Sequence, residues 1–294
     1  MGIGEAAMRL LIFGMGYTAR AVVEALPPGD RQDVTVTTRS AEKAKKLTTE
    51  GLDARVFPGD DLTPDLARAS HVLISAGPDD GRDPVLARLR DAFARADHLQ
   101  WVGYLSTTGV YGDHDGGWVD EATPLTPGTA RGRARVAAEG EWMSLHQDHG
   151  LPVHIFRLAG IYGPGRGPFA KLREGTARRI VKPGQVFSRI HVEDIAQTIL
   201  ASIARPNPGA AYNVCDDDPA PPQDVIAHAA ELLNLPVPPE IPFEQADLSP
   251  MARSFYAESK RVRNDRIKDE LGVRLKYPDY RAGLAQLLSA ETKR

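Results

Sequence analysis

Apolar positions in the first half of the chain form short runs separated by stretches with helical spacing. The runs predict strands over residues 9–13, 34–38, 53–57, 71–76, 99–106 and 152–158. Helical spacing covers residues 18–26, 41–50, 84–96 and 131–148. Short strands alternating with helices of this length indicate βαβ units and a parallel sheet. Right-handed crossovers then place helices on both faces, so the pattern predicts a doubly wound α/β fold.

The alternation becomes less regular after about residue 160. Residues 169–180 have helical spacing, 186–191 form a strand candidate, 195–203 are helical and 211–214 form a short strand. From residue 221 onward helices and loops follow without clear alternation. We therefore expect a smaller C-terminal, substrate-side lobe beside the sheet. The predicted core comprises 1–167 plus 186–214, and the predicted lobe comprises 168–185 plus 215–294.

The first predicted strand runs directly into a glycine-rich loop and a helix. The loop reads Gly14-Met15-Gly16-Tyr17-Thr18-Ala19. Gly14 permits a tight turn, Gly16 allows close backbone approach by a pyrophosphate, and Ala19 keeps the helix near the sheet. The helix N-terminus offers N–H groups and a positive dipole end to phosphates. This context predicts dinucleotide binding in a Rossmann fold; a simple glycine turn is the alternative.

The end of the second predicted strand carries the information on cofactor choice. An NAD site usually has an acidic residue there, which holds the ribose 2′-hydroxyl. Here Thr38, Arg39 and Ser40 follow one another without a carboxylate. Arg39 can pair with a 2′-phosphate while Ser40 and Thr38 donate hydrogen bonds. The segment therefore favours NADP(H) over NAD(H), with a solvated arginine as the alternative for Arg39.

Composition narrows the class of protein. The chain has 294 residues and a net charge of −3, which argues against a nucleic-acid or membrane-surface partner. One cysteine, Cys215, allows no internal disulfide and suits a reducing cytoplasm. No apolar run approaches the roughly 18 residues that span a bilayer, and no signal-peptide pattern is present. We expect a cytoplasmic enzyme with a small-molecule substrate.

Four later motifs occur in the order found in one known family. Residues 105–112 read Leu-Ser-Thr-Thr-Gly-Val-Tyr-Gly, and residues 157–165 read Arg-Leu-Ala-Gly-Ile-Tyr-Gly-Pro-Gly. Residues 190–196 read Ile-His-Val-Glu-Asp-Ile-Ala, and residues 211–216 read Ala-Tyr-Asn-Val-Cys-Asp. With the glycine loop, they resemble the extended short-chain dehydrogenases/reductases of the epimerase/dehydratase group. The resemblance covers nearly the whole chain.

The resemblance implies roles for residues at strand ends. Thr107 takes the place of the catalytic Ser/Thr, whose hydroxyl donates a hydrogen bond to a substrate oxygen. Gly59 and Asp60 take the place of the adenine contact. Small residues Ser75, Ala76 and Gly77 pass near the cofactor ribose, and the turn beginning at Ile161 lies near the nicotinamide. A homodimer is expected only by this resemblance.

The chain departs from the family where the acid/base pair Tyr-x-x-x-Lys is expected. Placing Glu139 on the family's Glu puts Arg135 at the Lys position and Arg131 at the Tyr position. Arg135 can still contact ribose or phosphate. Arg131 cannot shuttle a proton, because the pKa of arginine exceeds about 12. The chain therefore resembles an atypical member that lacks the active-site tyrosine.

Three explanations of this departure are open. Tyr111, Tyr162 or His191 takes over the proton transfer, although the two tyrosines lie in turns where the family's tyrosine is normally structural. Alternatively, Arg131 binds an anionic substrate as a fixed electrophile while water carries the proton. In the third explanation the protein is an inactive NADP(H)-binding sensor or regulator.

Basic and aromatic residues of the later chain are candidates for substrate contact. In the family this region often binds the diphosphate of a nucleotide sugar; a solvated helix face is the alternative. The candidates are Arg166, Lys171, Arg173, Arg178, Arg179, Lys182 and Arg189. Trp118 ends a polar, glycine-rich segment, 113–118, that is long enough to be a mobile loop over the site. His146 and His149 lack a third ligand of matching spacing, so we predict no metal site.

Overall fold

The structure is a computed structural model that describes residues 8–292. Its strands are β1 Leu10–Phe13, β2 Val34–Thr38, β3 Asp53–Val56, β4 His71–Ile74, β5 Trp101–Thr107, β6 Trp118–Val119, β7 Val153–Leu158, β8 Gly160–Tyr162, β9 Arg179–Val181, β10 Arg189–His191, β11 Ala211–Val214, β12 Glu240–Pro242 and β13 Arg261–Val262. Its helices are α1 Tyr17–Ala25, α2 Ala41–Thr49, α3 Thr63–Arg68, α4 Leu86–Ala94, α5 Ala130–His149, α6 Phe169–Arg173, α7 Val192–Ala204, α8 Pro222–Leu232, α9 Pro250–Phe255, α10 Asp265–Asp269 and α11 Tyr280–Thr292. Within residues 8–292 no helix is both long and apolar enough to cross a membrane.

A seven-stranded sheet with the order β11-β7-β5-β4-β1-β2-β3 confirms the predicted α/β fold class. β1 pairs in parallel with β2 on one side and with β4 on the other. Every residue of β1 and β4 is buried, as expected where helices cover both faces of a parallel sheet. The strand order reverses between β1 and β4. Ligands of such sheets bind at the carboxyl ends of the strands beside this reversal.

The chain divides into two compact units, which are described separately. The first comprises residues 8–107, 133–157 and 196–212. Its core packs residues of β1, β4, β5 and β7 with aromatic side chains of the helices. Phe93 of α4 meets Trp142 of α5 edge to face, with ring centroids 4.9 Å apart. The predicted domain boundaries stay a prediction.

The second unit comprises residues 108–132, 158–195 and 213–292. It contains three two-stranded parallel sheets, formed by β8 with β10, β9 with β12, and β6 with β13. Its apolar core includes Tyr162, Phe169, Tyr280 and Leu284. Asp194 accepts hydrogen bonds from the backbone N–H groups of Lys276 and Tyr277, at 2.8 and 3.0 Å.

One helix predicted from the sequence is wrong beyond its first turns. Residues 169–180 were expected to form one helix, but α6 ends at Arg173. Gly175 follows with φ of +68°, a conformation that ends a helix. Residues 179–181 then form β9, which pairs with β12. The partner strand lies some 60 residues further along the chain, so local spacing does not reveal it.

A buried histidine on β7 gives the first unit a defined pH dependence. The ring of His154 stacks on Trp101, with centroids 5.6 Å apart, and is fully buried. Its Nε2 accepts the N–H of Asn207 at 3.0 Å, so Nδ1 carries the proton and faces the carbonyl of Val102 at 3.4 Å. In the neutral form of the ring, both nitrogens therefore have a hydrogen-bond partner. Burial lowers the pKa of His154 to about 4.

We expect the free energy of unfolding to fall as the pH is lowered from 7 to 5. Below pH 6.5, the ordinary pKa of histidine, His154 is mostly protonated in the unfolded chain. In the folded chain it stays neutral until the pH falls to about 4. This costs the folded state about 2 kcal/mol over that interval. Urea unfolding at both pH values measures the loss. In His154→Phe the loss should shrink by that amount, whereas the exposed His149→Gln should keep it. An equal loss in His154→Phe and in the wild type would contradict the assignment.

Candidate functional site

The glycine loop between β1 and α1 is held by backbone contacts at the strand reversal. The N–H of Met15 donates to the carbonyl of Thr37 at 2.7 Å, and the N–H of Gly14 donates to the Thr37 hydroxyl at 2.9 Å. Gly14 has φ of +93°, and a Cβ there would lie 2.9 Å from the backbone nitrogen of Ala76. Any other residue at position 14 would be strained and would collide with the end of β4.

Gly16 and α1 fit a pyrophosphate. Gly16 is exposed, and a Cβ added to it would meet no protein atom within 4 Å. It is the N-cap of α1, whose first turn, starting at Tyr17, contains no acidic residue. Thr18 and Ala19 are buried, which brings α1 close to the sheet. The open space at Gly16 and the positive helix end are the two features that a dinucleotide phosphate requires.

The end of β2 presents two cations and no carboxylate of its own. The side chain of Arg39 is 85% exposed. Thr38 is buried, and the Ser40 hydroxyl accepts the N–H of Lys43 at 3.2 Å as the N-cap of α2. The Lys43 ammonium reaches back and donates to the carbonyl of Met15 at 2.6 Å. Sequence reasoning missed Lys43, although a lysine in the first turn after a strand end without a carboxylate was a usable signal.

The ends of β3 and β4 bring further predicted contacts to the same edge of the sheet. One carboxylate oxygen of Asp60 accepts the N–H of Val56 at 2.8 Å. Gly59 precedes it with φ of +157°. The N–H groups of Ser75 and Ala76 donate to the carbonyl of Phe13, at 2.9 and 2.8 Å. These bonds join the ends of β4 and β1 at the reversal.

Arg135 on α5 is held as a fixed cation at this edge. Its Nη1 donates to the carbonyl of Leu105 at 2.6 Å and to the hydroxyl of Tyr104 at 3.1 Å. Its Nη2 lies over Gly77, only 2.7 Å from where a Cβ would stand. No carboxylate within the described residues lies within ion-pair distance of it. Half-buried Thr107, two residues after Leu105, ends β5.

A buried ion pair anchors α5 one turn after Arg135. Arg157 of β7 donates to Glu139 through Nε at 3.2 Å and Nη2 at 2.9 Å. The Ser106 hydroxyl donates to the same carboxylate. All three side chains are buried. Sequence reasoning used Glu139 only to align the helix and missed its partners. The motifs that contain Ser106 and Arg157 were the available signal.

Tyr104 is the one tyrosine that the first unit places beside Arg135. It is fully buried in the core, near the ring of Trp142. Burial raises the pKa of Tyr104 above its ordinary value and outweighs the opposing effect of the Arg135 guanidinium. Its hydroxyl therefore stays protonated and positions Arg135; it does not supply a proton to a ligand.

Arg131 belongs to the second unit, at the start of α5. Its guanidinium lies 5.1 Å from the ring centroid of Phe255 at the end of α9. Both side chains are exposed. Stacking of this kind fixes one face of a guanidinium and leaves its N–H edge available to an anion. Sequence reasoning did not find Phe255, because nothing local connects positions 131 and 255.

The three alternative proton carriers are buried. The Tyr111 hydroxyl donates to Asn213 at 2.7 Å. Tyr162 packs against His191, and burial raises the pKa of Tyr162. His191 is fully buried, and burial lowers its pKa to about 4. The contacts of Tyr111 and Tyr162 favour packing roles, whereas Nε2 of His191 is buried without a hydrogen-bond partner among the described residues.

The second unit contains the predicted substrate contacts Trp118, Arg166 and Arg189 and the predicted nicotinamide contact Ile161. Trp118 is 52% exposed in β6, with the Arg263 guanidinium 5.2 Å from its ring. Ile161 lies in β8 opposite Ile190. Arg166 bridges Gly163 through backbone bonds, and Arg189 donates to two backbone carbonyls at 2.8 and 3.0 Å.

The segment 113–118 is hydrogen-bonded to Ser259. Ser259 accepts the N–H groups of His114 and Gly116 with its carbonyl, at 3.1 and 2.9 Å. Its own N–H donates to the carboxylate of Asp113 at 2.7 Å. A segment distant in sequence thus supplies hydrogen-bond partners to its backbone, and the mobility of the loop stays a prediction.

The side chains of the predicted basic cluster contact different partners. Arg173 pairs with Glu291 at 2.6 Å and Arg179 with Glu240 at 3.1 Å. Arg178 and Lys182 donate to backbone carbonyls.

His146 faces the carbonyl of Leu151 at 2.9 Å. Across residues 8–292 no group of three or more His, Cys, Asp or Glu side chains is arranged to hold a metal ion.

Comparison with known proteins shows what the chain is similar to. Residues 86–215 match the NAD dependent epimerase/dehydratase family. Protein YeeZ of Escherichia coli K12 is 34% identical over 188 residues, which span 63% of this chain and 62% of that protein. The match thus covers less than two thirds of the length of this curated relative.

Solved structures share the fold along almost the whole chain. A functionally unknown conserved protein from Silicibacter pomeroyi is 60% identical, with a TM-score of 0.88 over 96% of this chain and 98% of that one. The dTDP-glucose 4,6-dehydratase DesIV of Streptomyces venezuelae, solved with NAD, is 20% identical, with a TM-score of 0.75 over 98% of each chain. Residues 86–215, less than half of the chain, thus resemble the NAD dependent epimerase/dehydratase family, and the likeness to DesIV shows a shared fold.

Substitution of the two loop glycines by alanine should separate binding from folding. Gly16→Ala should keep the melting temperature, because its Cβ meets no protein atom, yet weaken NADPH binding about tenfold or more. Gly14→Ala should lower the free energy of unfolding by about 2 kcal/mol or more, because of its positive φ and the contact with Ala76. Calorimetric titration and thermal melting measure the two effects.

Gly29→Ala is the matched control, since a Cβ at that position also meets open space and the residue is distant in sequence from the loop. It should change neither quantity. Unchanged NADPH affinity in Gly16→Ala would remove the glycine loop as the phosphate site.

Proposed function

We propose that this protein is a dinucleotide-dependent oxidoreductase or epimerase that uses NADP(H) in preference to NAD(H). Its substrate is a small polar hydroxyl or carbonyl compound, a class that includes nucleotide sugars. The main support is Arg135, a guanidinium fixed over Gly77 at the carboxyl ends of the strands beside the glycine loop. DesIV, which shares the fold, is a dTDP-glucose 4,6-dehydratase, and dTDP-glucose lies within this class.

The NADP preference rests on charge at the end of β2. Arg39 and Lys43 both carry positive charge there, and the Thr38–Ser40 segment offers no carboxylate. A phosphate dianion binds best where two cations converge and hydroxyl donors lie close by. Because the DesIV structure contains NAD, NAD(H) is the alternative that the binding test must compare.

Arg135 takes over two roles of the family's lysine: it contacts the ribose of the cofactor and supplies positive charge. Its Nη1 is occupied by Leu105 and Tyr104, which leaves Nη2 to contact a ribose or phosphate oxygen. The bound cofactor supplies the hydride. Thr107 donates a hydrogen bond to the substrate oxygen. Arg131, one helical turn before Arg135, holds an anionic substrate group while water carries the proton, because arginine does not release one.

Direct binding tests the cofactor assignment. Arg39→Asp and Lys43→Met should each lower the ratio of NADPH to NADH affinity by about tenfold, since each removes a cation near the 2′-phosphate. Lys45→Met, an exposed neighbour on α2, is the matched control and should leave the ratio unchanged. A ratio that both variants leave unaltered would refute the roles given to Arg39 and Lys43.

Turnover tests the enzymatic half of the proposal. NADPH oxidation should respond to members of a panel of carbonyl compounds and fall roughly a hundredfold in Thr107→Ala, while Thr107→Ser retains most of the rate. NADPH affinity serves as the control and should be similar in all three proteins. Tight NADPH binding without turnover across a broad panel would instead favour the sensor alternative.

A further inference from the structure

A carboxylate from a different strand end faces the cation that follows β2. The Asp79 side chain, in the segment after β4, lies with Oδ2 4.0 Å from Nη1 of Arg39. Asp79 is 72% exposed and Arg39 is 85% exposed. An NAD site usually has an acidic residue at the end of β2, and this chain has none there. The Asp79 carboxylate nevertheless lies beside the guanidinium of Arg39, which follows β2.

The position of Asp79 is set by the backbone around it. Asp79 and Arg82 exchange two backbone hydrogen bonds, at 2.9 and 3.0 Å, and form a tight antiparallel bridge. On one side, Ala76 is bonded to the end of β1. On the other side, the buried carboxylate of Asp83 accepts the N–H groups of Val85 and Leu86, at 2.8 and 2.9 Å. A turn anchored on both sides holds Asp79 toward the end of β2.

The Arg39–Asp79 contact is weak enough to be exchanged. Pairs that are this exposed contribute little to stability, because water screens both charges. A ligand that offers either partner a better contact therefore separates them at small cost. A ribose 2′-hydroxyl would donate to the carboxylate, whereas a 2′-phosphate would pair with the guanidinium and be repelled by the carboxylate.

We propose that Asp79 is the specificity-determining residue of the adenosine ribose site and permits NADH binding in a pocket whose cations favour NADPH. The inference rests on the dinucleotide binding proposed above. With NADH, Asp79 accepts the ribose 2′-hydroxyl. With NADPH, Arg39 leaves Asp79 for the phosphate, and the carboxylate weakens that complex. Removal of the charge at position 79 should therefore change the two affinities in opposite directions.

Asp79→Asn tests the proposal because it keeps the volume of the side chain and removes its charge. Titration of the full-length protein with NADH should show about fivefold weaker binding, since a charged acceptor is lost. Titration with NADPH should show about threefold tighter binding, since a repulsion is lost. Asp80→Asn is the matched control: it removes the same charge one residue away and should change neither affinity.

Opposite changes in Asp79→Asn with neither change in Asp80→Asn support the proposal. Equal changes for both cofactors, no change, or the same pattern in Asp80→Asn overturn it, while dinucleotide binding by the wild type leaves the proposed function standing. Binding of neither cofactor by the wild type overturns the proposed function itself. Melting temperatures of the variants identify any loss of affinity that comes from unfolding.

Discussion

The buried ion pair between Glu139 and Arg157 is the interaction on which the geometry of the site depends. It joins α5 to the ends of β5 and β7, through Ser106 and Arg157, at the edge of the sheet where ligands bind. A buried pair of this kind adds little net stability compared with apolar side chains, but loss of one partner costs about 3–5 kcal/mol. The pair therefore opposes displacement of α5 from β5 and β7, because a shift that separates the two groups would leave a buried charge without its partner.

The position of α5 determines which groups the Arg135 guanidinium can contact. One turn before Glu139, its guanidinium is fixed against Leu105, Tyr104 and Gly77. A lysine in the same place would offer a single ammonium, whereas the planar guanidinium satisfies the protein with one nitrogen and presents another. Gly77 matters for the same reason, since its missing side chain leaves room for Nη2. The arginine and the glycine are parts of one arrangement.

Local pattern was sufficient for the sheet and the glycine loop, because both depend on short-range periodicity and on residues adjacent in sequence. It failed where distant segments decide the outcome. β9 exists through its pairing with β12, and the backbone of segment 113–118 is hydrogen-bonded to Ser259. In the site, alignment with the family placed Arg135 and Arg131 on α5. Lys43 had a local signal, its place in the first turn after the end of β2, but was overlooked. Asp79 and Phe255 could not be placed, because their relevance comes from side chains that meet across loops.

The bonds on both sides of Met15 have a thermodynamic consequence for the ligand. Its N–H is bonded to Thr37 and its carbonyl to Lys43, so the loop is ordered by the protein's own backbone and α2. The glycine loop therefore loses its conformational entropy when the chain folds, and not when a dinucleotide binds. Association should therefore resemble the docking of two preformed surfaces, with a rate set by diffusion and charge and not by loop closure.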